Sequence, residues 1–302
     1  MYLNKSNGRK RFKESLGQAN HLIITALVGL DAIERGEVTV VPPEMRMAWS
    51  PKSPEISARR ARRLVLDMAL IRAVDGVDVY LRCAMRKPTL IQDQALRSEI
   101  DRANRSVFKK IVAVENAIPD LDPLLIAMVA ALVSWRNESA HVEADDGLSE
   151  RHRAILEEGN ADIASKFRGL DSNVMLRSYD AESPPTFKEV ASFINASHHF
   201  IQDLEDQLFA RIDPEIFLKQ LVGVALQRRA DGPSEGNGRS SKAAEIWGRA
   251  EDDRPRYVRS FLQHNGLTLE RAKSGPSLKF KEETIKRLLS FNPKELGIWL
   301  QE

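Results

Sequence analysis

The residues best suited to chemistry lie together in Trp135-Arg136-Asn137-Glu138-Ser139-Ala140-His141. An arginine, a polar residue directly after it and a histidine after four intervening residues form a compact cationic group. Arginine is a permanent, planar cation whose fork of donors matches the oxygens of a phosphate. Histidine is the side chain that most readily takes and returns a proton near neutrality. Asn137 and His141 stand four apart, so on a helix they share a face. The group therefore combines two abilities in one place, gripping a phosphate and moving a proton.

The segment leading to this group is strongly apolar. Leu125, Met128, Val129 and Leu132 recur at helical intervals and reach Arg136, which terminates the apolar stripe instead of facing water. A cation so placed needs an anionic partner, because an unpaired buried charge is very costly. A phosphate would serve, and so would an acidic group on a second subunit. The run Glu143, Asp145, Asp146, Gly147 predicts that the helix ends just past His141, leaving the imidazole beside a loop. The plainer alternative is a helix-end arginine bonded to a neighbouring carboxylate, with His141 an ordinary cation at a helix C-terminus.

Arg136, Asn137 and His141 together resemble the signature of the HEPN superfamily, all-helical domains that often act as metal-independent ribonucleases. That signature is an arginine, a polar residue, then a histidine, with four to six residues between the arginine and the histidine. With this composition the bare spacing is expected about twice by chance. It occurs twice, the second time from Arg259 to His264. Context separates the two, because Arg259 shares its short helix with Arg254 and Arg256 and reads as part of a solvated basic face. The resemblance covers the motif helix and a set of helices within roughly residues 1–220. It implies RNA as substrate, with the 2′-hydroxyl attacking the adjacent phosphate to leave a 2′,3′-cyclic phosphate and a 5′-hydroxyl. Arg136 would stabilise phosphoryl charge, His141 would transfer the proton, and Asn137 would orient phosphate or imidazole. It further implies a homodimer whose clusters meet across a two-fold axis, and a toxin or antiviral-defence role with an inhibitor or activator protein as partner.

Helical periodicity dominates the rest of the chain. Helices are expected at Arg9–Arg35, Pro54–Arg86, Leu90–Ala117, from Pro123 through the cluster, and at Ser149–Phe167, Pro185–Arg211 and Pro214–Gln227. Val38–Pro43 reads as a short extended piece, and Gly169–Pro185 as an irregular loop. Residues 228–241 (RRADGPSEGNGRSS) have linker composition. Beyond them, helices are expected near Lys242–Arg249, Arg254–His264 and Lys281–Ser290. The expectation is an all-α protein, with a HEPN-like helical bundle over residues 1–227, a linker at 228–241 and a small basic helical module at 242–302.

Composition narrows the classes further. The net charge of +2 gives no global field for nucleic acid, so any such affinity must be local. The 15 basic and 11 acidic side chains of residues 228–302 make that portion +4. Arg59, Arg60, Arg62 and Arg63 crowd the start of one helix; Arg59, Arg62 and Arg63 are candidates for tracking an RNA backbone, and a solvated helix face is the ordinary reading. One cysteine, Cys83, excludes an internal disulfide and a cysteine-based zinc cluster. Glu143, Asp145 and Asp146 lack the spacing of a calcium loop, and His199 with Asp203 reads as an ordinary helix-face pair. No cofactor and no metal are expected. The start of the chain lacks an apolar signal core, and the longest apolar run, Leu124–Trp135, falls short of the ~20 residues that cross a bilayer. A cytoplasmic protein without a membrane partner is therefore expected.

Overall fold

In chain order the elements are β1 (Tyr2–Leu3), α1 (Asn7–Leu16), α2 (Ala19–Glu34), α3 (Pro54–Ala84), α4 (Gln94–Arg102), α5 (Val107–Ala117) and α6 (Pro123–Ala140). Next come α7 (Glu150–Glu158), α8 (Asn160–Lys166), α9 (Ser172–Asp180), α10 (Phe187–Arg211) and α11 (Pro214–Gln227). The chain closes with α12 (Gly238–Trp247), α13 (Arg254–His264), β2 (Leu267–Thr268), β3 (Leu278–Lys279), α14 (Glu282–Ser290) and α15 (Pro293–Trp299). The fold is all-α, with one small sheet in the order β2-β1-β3. This computed structural model describes residues 1–38, 44, 46, 49, 51–140, 147–227 and 238–301, leaving out the side chains at 139–140 and 238–241. Most of the Val38–Pro43 piece, the acidic run at 143–146 and the linker at 228–237 lie outside the described residues.

Several expected helices are cut by local chemistry that periodicity does not register. The Arg9–Arg35 helix is two, α1 and α2, because the chain turns at Gly17. Its N–H donates to the Lys13 carbonyl at 2.8 Å, and a Cβ there would stand 2.5 Å from that oxygen. The Leu90–Ala117 helix is also two, α4 and α5. Asn104 takes a left-handed φ of 49°, and Ser106 restarts the helix by accepting a hydrogen bond from the Lys109 N–H. The Gly169–Pro185 segment is not irregular. It holds α9, capped by Asp171, whose Oδ1 accepts from the N–H groups of Asn173 and Val174 at 2.9 and 3.1 Å. That helix buries Met175, Leu176 and Tyr179 at i, i+1 and i+4.

The described residues fall into two compact units. Residues 11–79 and 103–201 form one, whose core is built on α6. Every residue of α6 from Leu124 to Val133 is at most 7% exposed, because the helix is apolar all round and must be covered all round. α5 and α7 pack against it, and Leu70, Val74, Phe193 and Phe200 are completely buried.

The second unit gathers residues 1–10, 80–102 and 202–302. Its sheet joins distant parts of the chain: Leu3 pairs with Leu267 on one side and with Leu278 on the other. Trp247 is fully buried there, donating from Nε1 to the Leu288 carbonyl at 2.9 Å and meeting Phe261 edge to face. A carboxylate is also buried in this unit. Glu205, fully shielded from solvent, accepts from the Ser6 hydroxyl and faces the Arg9 guanidinium at 3.4 Å. Arg9 in turn donates to Gln202 at 3.0 Å.

One stretch, Asn7–Glu34, is long and apolar enough by length and composition to cross a membrane. In the structure a turn at Gly17 and Gln18 divides it. On α2 only Ile23 is buried, whereas Leu22 and Val28 are exposed; Leu64, Met68 and Ile71 on α3 are exposed as well.

Candidate active site

Two of the three motif residues lie in the last turns of α6. Asp122 starts that helix by accepting from the Leu124 N–H at 2.9 Å, with Pro123 in the first position, where a missing N–H costs nothing. Trp135, 3% exposed, anchors the exit turn, its ring meeting those of Tyr179 and Phe193 edge to face at 5.7 and 5.9 Å. Arg136 and Asn137 follow, both half-buried. His141 lies outside the described residues, so its imidazole has no assigned position beside them.

Arg136 has an unusual environment. Its Nε is buried and has no hydrogen-bond partner among the described residues. Burial lowers the guanidinium pKa, and the negative charges of Asp75 and Asp78 on α3 oppose that effect. Neither carboxylate forms an ion pair with it among the described residues. Lys110, itself buried, holds Asp78 at 2.7 Å, which leaves the exposed Asp75 as the less compensated neighbour. Next along the chain, burial pushes Glu138 up from the ordinary carboxylate range, while a hydrogen bond with Tyr179 works against it. Tyr179 is raised to about 12, by burial first and then by that bond; its hydroxyl also accepts from the Leu148 N–H at 3.4 Å. The exit of α6 is thus pinned on the Trp135 and Glu138 sides, while one nitrogen of Arg136 stays unmatched.

The arginines at the start of α3 have carboxylate partners. Arg59 reaches Glu34 at 3.1 Å, Arg62 reaches Glu34 at 3.2 Å and Asp31 at 3.7 Å, and Arg63 stands 3.8 Å from Asp67. These pairs tie α3 to the end of α2. His198 packs edge-on against Phe12 at 4.9 Å, and His199 is exposed. Tyr257 is also exposed, with the Arg249 guanidinium 4.6 Å above its ring. No group of three potential metal ligands gathers among the described residues.

A second constellation has no signature in the sequence. Ser149 Oγ lies 2.9 Å from His152 Nδ1, and His152 Nε2 lies 3.0 Å from Glu115 Oε2. Arg151 approaches the other Glu115 oxygen at 3.1 Å. The residue types match a nucleophile, base and orienting acid, but the setting is that of an internal brace. Ser149 is the cap of α7 and accepts from the His152 N–H, and His152 is 3% exposed. Glu115 comes from α5, 37 positions before His152, and no local spacing announces the pairing. Replacing Glu115 with alanine is expected to destabilise the fold by about 2 kcal/mol, the cost of stranding a buried polar partner. Urea unfolding measures it, and a change within error would mean that the brace contributes nothing.

Compared with family models, curated proteins and solved structures, the chain matches none.

Proposed function

We propose that this protein is a metal-independent endoribonuclease of the HEPN kind, acting in the cytoplasm, with Arg136, Asn137 and His141 as its catalytic residues. The observation that carries this reading is the Arg136 guanidinium, half-buried directly after a helical stretch, Leu124 to Trp135, that is buried throughout, with a buried Nε that no described residue satisfies. A phosphate in transit supplies an anionic partner to the open side of this half-buried guanidinium, and it does so best when charge builds on its oxygens. His141, five residues on, supplies the proton transfer that attack by a 2′-hydroxyl requires. Arg59, Arg62 and Arg63 belong to this reading as contacts to the RNA backbone only by exchanging their carboxylate partners Glu34, Asp31 and Asp67 for phosphate. The resemblance to HEPN domains points to a toxin or defence effector, held in check by an inhibitor or triggered by an activator. The deciding experiment is cleavage of total RNA by purified protein in EDTA, beside the Arg136→Ala and His141→Ala variants, with the product ends identified.

A homodimer belongs to the same proposal. Leu22 and Val28 on α2, with Leu64, Met68 and Ile71 on α3, leave large apolar side chains 42–64% exposed, and such a face calls for a cover. α3 carries exposed Arg60 near its start and exposed Asp75 fifteen residues later, so two copies running antiparallel would match opposite charges. Leu64→Glu with Met68→Glu is expected to turn a dimer into a monomer in analytical ultracentrifugation while leaving the helical spectrum intact. An unchanged mass would remove this face from the interface.

The second reading is a non-catalytic helical scaffold, favoured by the two carboxylates, Asp75 and Asp78, whose charges already bear on Arg136. Overexpression separates the two readings. A ribonuclease arrests growth and His141→Ala relieves the arrest, whereas a scaffold is indifferent to that change.

A further inference from the structure

The unit made of residues 1–10, 80–102 and 202–302 contains a cavity of about 150 Å³ beside the start of α1. One part of its wall is cationic, formed by Lys5, Lys10 and Lys87, with His264 beside them. Another part is apolar, formed by Leu3, Pro88, Phe217, Leu221, Val224 and Ala225, with Asn7 and Asn265 offering amides. No aspartate or glutamate lines it. None of the three lysines forms an ion pair among the described residues, so the cavity concentrates positive charge with no counter-charge of its own. The surrounding unit has the same bias, with 25 basic and 19 acidic side chains against 20 and 24 in the other.

Local structure reinforces the bias. Ser6, in the cavity wall, caps α1 by accepting from the Arg9 N–H at 3.1 Å, and its carbonyl accepts from Lys10. That leaves the N–H groups of the first helical residues without intrahelical acceptors. Glu205, which contacts Ser6, is fully buried and held by Ser6 and Arg9, so it does not supply the missing negative charge. On the far side α13 ends at His264, and the chain turns through Gly266 at a φ of +99°. A Cβ at Gly266 would stand 3.1 Å from Lys10 Nζ. Glycine therefore serves the left-handed turn, and a side chain there would also press on the Lys10 ammonium.

We propose that this cavity binds a small phosphomonoester, the phosphate held by Lys10, Lys87, Lys5 and His264 and a single-ring or short apolar body lodged against Phe217, Leu221 and Val224. Both walls are used only by a ligand with an anionic head and an apolar body. A cavity of about this volume is known to accept one benzene-sized ring. The site is separate from the Arg136 motif and stands whether or not that motif cleaves RNA.

The test is isothermal titration of the full-length protein with phenyl phosphate, inorganic phosphate and phenol, repeated on Lys10→Ala/Lys87→Ala. Both lysines are exposed, so the variant should keep the fold. Phenyl phosphate is expected to bind saturably and more tightly than either fragment, and to weaken at least about tenfold in the double variant, since charge-assisted contacts are the stronger ones. Adenosine monophosphate in a parallel titration shows whether the cavity mouth admits a nucleoside; weaker binding than phenyl phosphate restricts the class to single-ring esters, and tighter binding extends it to nucleotides. The proposal is overturned by no saturable binding of phenyl phosphate up to about 10 mM, where affinity is negligible, by equal affinity for phosphate and phenyl phosphate, or by binding that the lysine variant leaves unchanged.

Discussion

Arg136→Ala is expected to lower RNA cleavage by about 10²–10³-fold, the scale seen when one preorganised charge-stabilising donor is removed. The loss should fall on turnover more than on RNA binding, because the contact strengthens as charge develops on the phosphoryl oxygens. Arg136→Lys is a sharper probe. It keeps a cation but loses the planar fork, so activity should recover only in part if two phosphate oxygens are gripped at once. His141→Ala removes the proton-transfer group and is expected to cost about 10²–10⁴-fold. Combining it with Arg136→Ala should add little, since groups that act together on one transition state are not additive. All of this is read from the yield of cyclic-phosphate ends in EDTA. Wild-type cleavage that persists in both single variants would sink the assignment.

Glu205→Ala is expected to cost about 3–5 kcal/mol of stability, the range for removing one partner of a buried ion pair. The reason is local. Arg9 is 6% exposed and faces Glu205, and the Ser6 hydroxyl donates to the same carboxylate. Without Glu205 both donors are left facing a cavity. Burial pushes the Glu205 carboxyl above its ordinary value of 4.5, with Ser6 and Arg9 opposing. The folded protein therefore holds this proton to higher pH than the unfolded chain does. Through this group, stability falls as pH rises from about 4.5 to the elevated folded value, then levels off. Glu205→Gln should remove that component of the slope while costing less than alanine. Urea midpoints of the three proteins, followed from pH 4.5 towards neutrality, measure both effects. Parallel pH profiles for wild type and Glu205→Gln would contradict this account.

What the sequence announced and what it hid follow different physics. Helices that begin with a proline after a capping residue were readable to within a few residues, as α3, α6 and α11 show, because the start signal is local. The breaks at Gly17 and at Asn104–Ser106 were missed because apolar periodicity runs on across a turn of two to four residues. α9 was missed because nine residues carry too few repeats of the pattern. Strands of two residues have no alternation to read. At the candidate site, the stripe along α6 correctly led to a half-buried Arg136, but the helix proved apolar on every face, not on one. The carboxylates that bear on Arg136 come from α3, some sixty positions earlier, and the Ser149–His152–Glu115 and Ser6–Arg9–Glu205 groups join equally remote parts of the chain. Such pairings depend on tertiary topology, which no window along the sequence contains.

The central strand of the sheet has a consequence for the order in which the molecule is made. Tyr2 and Leu3 leave the ribosome more than 260 residues ahead of their partners, Leu267–Thr268 and Leu278–Lys279. At synthesis rates of about 5–20 residues per second, β1 waits on the order of tens of seconds for its neighbours. The segments 11–79 and 103–201 have meanwhile all emerged, so the Arg136 helix can be built while Tyr2 and Leu3 remain unpaired. Nascent chains stalled before and after residue 279 should therefore differ in the protection of residues 1–10 from protease, and not in that of α6.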